Sequence, residues 1–145
     1  MTPAPILTLQ DAADDELRTL IVAGLDAYND AAVGYTDRRP LAIRVTDPAT
    51  GALLGGLSGR SSLGTLFIDL VYLPETLRGQ DVGSALLAMA EAEGRRRGCR
   101  SGVLFTLSLQ APGFYEKRGW VRFGEIACDP PGASRVFFSK TFAAD

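Results

Sequence analysis

The chain has 145 residues, 46% of them apolar and 22% charged, with a net charge of −2. That length supports one domain with its own core, and the balance lacks the clustered cations on which nucleic-acid affinity depends. There is no histidine, so Ser-His-Asp and Cys-His schemes and most zinc sites are excluded. Proton chemistry falls to Asp, Glu, Tyr, Cys or water.

Met1 to Pro5 shows neither a basic start nor an apolar stretch, and no segment reaches the length of a membrane span. A cytoplasmic protein of one domain, residues 1–145, is expected, without membrane or nucleic-acid partners. Cys99 and Cys128 lack any metal-type spacing. They read as reduced, inert thiols, and no metal is expected.

Ile6 to Leu9 reads as a short edge strand. Asp14 and Asp15 then precede a helical face of Leu17, Leu20, Ile21, Leu25 and Tyr28, weakening from Asn29 to Gly34. Leu41, Ile43 and Val45 alternate as a half-buried strand does. "DPATG" turns the chain into a second strand from Ala52 to Arg60. "SSLG" turns it again into Thr65–Leu73, apolar on both faces except for Asp69, as in a central strand.

Val82, Ala85, Leu86, Met89 and Ala90 mark a second helix, with Glu91–Arg95 and Glu93–Arg97 as exposed i,i+4 pairs and Gly98 as its stop. Arg95 to Arg97 read as a solvated helix end. Val103 to Leu107 is a buried strand, so strand, helix and strand make a parallel crossover. "QAPGFYEKRG" is a short helix. Trp120–Ile126 and Arg135–Phe142 close the chain as two strands, with Trp120, Phe123, Phe137 and Phe138 filling the sheet–helix core. The loop "DPPG" between them reads as a plain turn; a border of a substrate pocket or a homodimer contact is the alternative.

The fold class is therefore α+β: a mixed, mainly antiparallel sheet of six to seven strands around a central βαβ crossover. Its chemistry gathers at "LRGQDVGSALL", Leu77 to Leu87. A turn here delivers a helix N-terminus to the carboxyl edge of a strand, where free N–H groups and the helix dipole suit an anion. Asp81 puts a carboxylate into that turn. Its plain structural reading is an N-cap whose side chain accepts from Gly83 or Ser84.

"LVYLPETLRGQDVGSALL", followed about 25 residues later by "QAPGFYEKRGW", resembles the GNAT superfamily of acyl-CoA-dependent N-acetyltransferases. In the family turn [RQ]xxGx[GA], Arg78 and Gly83 match while Asp81 replaces the first glycine. In the family stretch NxxAxxFYxxxGF, Ala111, Phe114, Tyr115 and Gly119 match, with Ser108 for Asn and Trp120 for the final Phe. The resemblance implies a sheet splayed between its fourth and fifth strands, helices on both faces, and acetyl-CoA as co-substrate.

The same resemblance implies particular roles. Leu70, Val71, Tyr72 and Leu73 would pair with the pantetheine arm, with Val71 or Tyr72 donating to the thioester carbonyl. Arg78, Gly79, Gln80, Asp81, Val82, Gly83 and Ser84 would hold the pyrophosphate. Ser108, Ala111 and Phe114 complete the cofactor set. Tyr115 is the expected general acid; Asp69 is the first candidate base and Glu75 the second, with a water chain as the alternative to both. Tyr28, Asn29 and Tyr35 are expected to line the pocket for an amine acceptor. A non-catalytic acyl-CoA-binding module is the alternative function.

Overall fold

The computed structural model describes residues 3–143. The chain divides into two compact units, one up to Thr36 and one from Asp37 onward. The first contains a single helix, α1 (Asp15–Val33). Asp14 caps it, its Oδ1 accepting from the Leu17 N–H at 2.9 Å, and Asp15 and Glu16 place negative charge at the positive end of the dipole. The helix does not weaken at Asn29. It runs to Val33 and stops at Gly34, whose φ of 87° is the left-handed conformation a C-cap requires. Nor is Ile6–Leu9 a strand: no partner pairs with it among the described residues, and its side chains are exposed. An apolar run is a strand only where a neighbouring strand takes up its backbone hydrogen bonds, and here the exposed backbone is left to water.

The second unit is built on a six-stranded sheet in the order β1-β2-β3-β4-β6-β5. The strands are β1 (Arg39–Thr46), β2 (Leu53–Ser62), β3 (Thr65–Tyr72), β4 (Ser101–Leu107), β5 (Val121–Ala127) and β6 (Ser134–Thr141). All neighbours are antiparallel except β3 and β4, which are joined by α2 (Val82–Arg96) as the parallel crossover. The short helix α3 (Pro112–Glu116) follows β4.

One face of the sheet carries the core. Leu66 and Ile68 of β3, Leu104 of β4, and Val136 and Phe138 of β6 are buried with Leu86, Leu87 and Ala90 of α2. Burying each of these side chains other than Ala90 contributes about 1.5–3 kcal/mol. Both α2 and α3 pack on this face, Phe114 and Tyr115 of α3 lying against the core cluster. Trp120 is also there, its ring so close to Gly102 that a Cβ at that position would come within 2.8 Å of it. Phe123 and Phe137 are not in this core. They stack with Phe105 on the opposite face, with centroids 6.2 and 5.6 Å from Phe137, and Phe123 stays 59% exposed. Phe137 alternates with the buried Val136 and Phe138 along β6, so it faces away from them, and Phe123 lies at the register shift between Arg122 and Gly124.

The end of α2 also departs from a solvated helix. Arg97 is only 8% exposed at its side chain and is fully engaged. Its Nε donates to Glu93 at 2.8 Å, and its Nη atoms donate to the carbonyls of Arg39 and Pro40 and to Ser61 Oγ. Glu93–Arg97 thus forms as expected, while Glu91–Arg95 does not. Glu91 lies on the buried stripe Leu86, Leu87, Ala90, Gly94, where it accepts from Lys140 Nζ at 2.6 Å and from Trp120 Nε1 at 3.3 Å. Arg95 instead stacks over Phe142.

Candidate active site

The parallel pair opens early. β3 and β4 are paired only over Thr65–Phe67 and Ser101–Val103, and their remaining residues part. The splay is therefore between the strands expected to splay. The exposed end of β3, Leu70 to Tyr72, and the end of β4 form the two sides of the opening.

Directly after β3 the chain makes one 3-10 turn, Glu75–Leu77, and then the loop into α2. The first helical bond is from the Ala85 N–H to the Asp81 carbonyl, so the N–H groups of Val82, Gly83 and Ser84 precede the ladder. Gly79 and Asp81 both have positive φ, at 82° and 61°. Asp81 stands at the N-cap position, yet its side chain makes no capping bond. A left-handed backbone turns the residue away from the extended geometry from which an N-cap side chain reaches N2 and N3. The expected cap is therefore absent, and the first-turn N–H groups keep their full capacity for an anion. Gln80 braces the loop, its Nε2 donating to the Thr76 carbonyl at 3.0 Å.

Gly83 has a packing role. A Cβ there would lie 3.3 Å from the Phe114 ring and 3.5 Å from a Leu73 methyl carbon. The missing side chain lets α3 close onto the first turn of α2. Phe114, Leu73 and the first turn of α2 are thus brought together, with Ala111 at the N-cap of α3.

Tyr115 is half-buried, edge-on to Phe114 at 5.2 Å between centroids and 5.7 Å from Phe138. Burial pushes its phenol pKa above the ordinary value. Its hydroxyl has no hydrogen-bond partner among the described residues. A neutral phenol with an unused donor is the state a proton donor needs.

The two candidate bases differ. Both oxygens of Asp69 accept from Arg60 Nη1, at 2.9 and 3.0 Å, and Arg60 stacks over Phe67. Glu75 in the 3-10 turn has no ion-pair partner among the described residues. Ser108 follows β4, and its Oγ accepts from the Ser134 N–H at 2.8 Å, tying the end of β4 to the start of β6. Tyr28 and Asn29 lie on the last turns of α1 and Tyr35 just past its C-cap, all in the first unit. The described residues contain no group of three or more His, Cys, Asp or Glu placed to hold a metal ion. Among the described residues no helix is long and apolar enough to cross a membrane.

The chain belongs to the acetyltransferase (GNAT) family, whose model matches residues 8–120. It is 37% identical over 134 residues to Acetyltransferase Atu2258 of Agrobacterium fabrum, covering 92% of this chain and 97% of the relative. It is also 37% identical over 107 residues to Blasticidin-S acetyltransferase of Streptomyces morookaense, covering 72% and 79%. A crystal structure from Agrobacterium tumefaciens at 36% identity matches 95% of this chain and 100% of its own, with a TM-score of 0.86. The α+β fold and the acetyltransferase class inferred from the two motifs are those of these relatives.

One residue at the site, Arg118, escaped the sequence reading. Arg118 donates through Nε to Ser84 Oγ at 3.1 Å and through Nη1 to the Phe114 carbonyl at 2.9 Å. Its only local signal is a cation just past a short helix, where one complements the final carbonyls. The partner Ser84, 34 residues away, has no sequence signature.

Proposed function

We propose that this chain transfers the acetyl group of acetyl-CoA to the amine of a small-molecule acceptor, by direct attack within a ternary complex. The observation that carries the proposal is the opening of β3 from β4 beside a helix start with free N–H groups, against which Phe114, the neighbour of the half-buried Tyr115, is packed. The pantetheine arm adds to the free edge of Leu70 to Leu73, and the pyrophosphate sits on the turn from Arg78 to Ser84. Ser108, Ala111 and Phe114 border the arm from the other side. The small-molecule class rests on the similarity to an acetyltransferase named for blasticidin S.

In the reaction the amine nitrogen attacks the thioester carbon, and the carbonyl oxygen gains charge opposite the N–H of Val71 or Tyr72. A preorganised donor there is worth about 3–4 kcal/mol. The C–S bond then breaks, the thiolate takes the Tyr115 proton, and the acceptor nitrogen loses its own. Arg60 occupies both oxygens of Asp69, which favours Glu75, directly or through water, as the group that receives the amine proton.

The test is release of the CoA thiol by the full chain, followed with a thiol reagent across a panel of small amines. Amine-dependent release is expected. Tight CoA binding with no amine-dependent release across the panel points instead to a binding module.

The carboxylate in the turn gives a second measurement. At about 4 Å from a phosphate charge it would cost about 4 kcal/mol at an effective dielectric near 20. Asp81→Asn keeps the side-chain shape and removes the charge, whereas Asp81→Gly also relieves the positive φ. Neither is expected to tighten acetyl-CoA binding more than modestly by calorimetry. A hundred-fold gain in the Asn variant alone would put the carboxylate against the phosphate.

A further inference from the structure

We infer that Arg118 is a positioning residue, which sets the place of Tyr115 by fastening α3 to the first turn of α2. The inference rests on the reading of Tyr115 as the proton donor given above. Helix α3 spans only Pro112–Glu116, and a helix of barely one turn has no stability of its own in water. Its position must come from what it touches.

Three contacts converge on one guanidinium. Nε donates to Ser84 Oγ, Nη1 donates to the Phe114 carbonyl, and the plane stacks 3.9 Å above the centre of the Phe114 ring. The bond to the Phe114 carbonyl fills a terminal acceptor that a helix this short leaves open. The bond to Ser84 carries the same group across to α2. A planar fork can make both bonds and stack at once, which an ammonium cannot.

The residue is itself anchored. Lys140 Nζ donates to the Arg118 carbonyl at 2.8 Å and pairs with the buried carboxylate of Glu91. Arg118 thus lies between the anion-binding turn and a charged pair set into the core. Tyr115 is the residue next to Phe114, so a shift of α3 moves its hydroxyl directly. An error of about 1 Å in such a group costs about a hundredfold in rate.

The experiment is a double-mutant cycle with a second, non-catalytic readout. Arg118→Met is expected to lower kcat about tenfold to a hundredfold with little change in the amine KM, and Arg118→Lys to fall between it and the parent. In a Tyr115→Phe background the further loss from Arg118→Met should disappear. An equal loss in both backgrounds overturns the inference. Independently of turnover, ultraviolet titration of the parent minus its Tyr115→Phe variant gives the Tyr115 phenol. That titration should move down toward the ordinary tyrosine range in Arg118→Met, because a loosened α3 admits water. An unmoved phenol in a folded Arg118→Met protein also overturns the inference. If Tyr115→Phe alone costs no activity, the proton-donor reading fails, while the phenol titration still decides whether Arg118 holds α3.

Discussion

Tyr115→Phe is expected to lower kcat by about 10²–10⁴-fold, the range a positioned general acid supplies, with acetyl-CoA affinity nearly unchanged. The change removes one oxygen and keeps the ring that packs on Phe114 and Phe138. A residue that merely filled the core would tolerate it, so full retained turnover removes Tyr115 from the reaction. The pH dependence has a definite sign. Burial raises the phenol pKa in the folded chain, so the phenol keeps its proton throughout the neutral range. Below about pH 10 both folded and unfolded phenols are protonated, and the group adds no slope to stability. Above it the unfolded chain loses the proton first, so stability falls as pH rises toward the folded value. Chemical denaturation of the parent and of Tyr115→Phe should differ in this alkaline slope and nowhere below it.

Lys140→Met is expected to destabilise the fold by about 3–5 kcal/mol, because it leaves the Glu91 carboxylate buried without its cation. Trp120 Nε1, at 3.3 Å, is the one other donor to that carboxylate among the described residues. The double variant Glu91→Leu with Lys140→Met replaces the pair by apolar groups and should recover most of the loss. Urea unfolding of the two proteins measures the difference directly. Equal destabilisation in both would show that packing at these positions, rather than the unpaired charge, sets the cost.

The central strand, the crossover and the two motifs were legible in the sequence because their signals are local. Alternation marks β1, and the turn from Leu77 to Ser84 is read from its own glycines and its place after an apolar run. What escaped was decided across the fold. Glu91 has the spacing of a solvent-exposed ion pair with Arg95, but its helical angle coincides with Leu87 and Gly94 on the buried stripe. Arg97 looked like one of three equivalent cations until β1 and β2 supplied acceptors for it. Asp69 read as an isolated acid because its partner Arg60 sits on a neighbouring strand, opposite Phe67, and reaches Asp69 where the β2–β3 register shifts. Phe123 and Phe137 counted as core by residue type, although period-two alternation already sets Phe137 opposite Phe138; for Phe123 the shifted register of β5 intervenes. Asp81 matched a capping pattern by composition, while its left-handed backbone denied the geometry.

The Arg97 joint has a consequence for how this turn can change over evolutionary time. One end of α2 is riveted to the start of β1 by Arg97, and the other is held against α3 through Ser84. The rod is thus located by its two ends, and the loop leading into it carries little of that duty. Such a loop is free to drift. A side chain in place of glycine there, as Asp81 is at a positive φ, sets the local bend without moving the helix that presents the N–H groups.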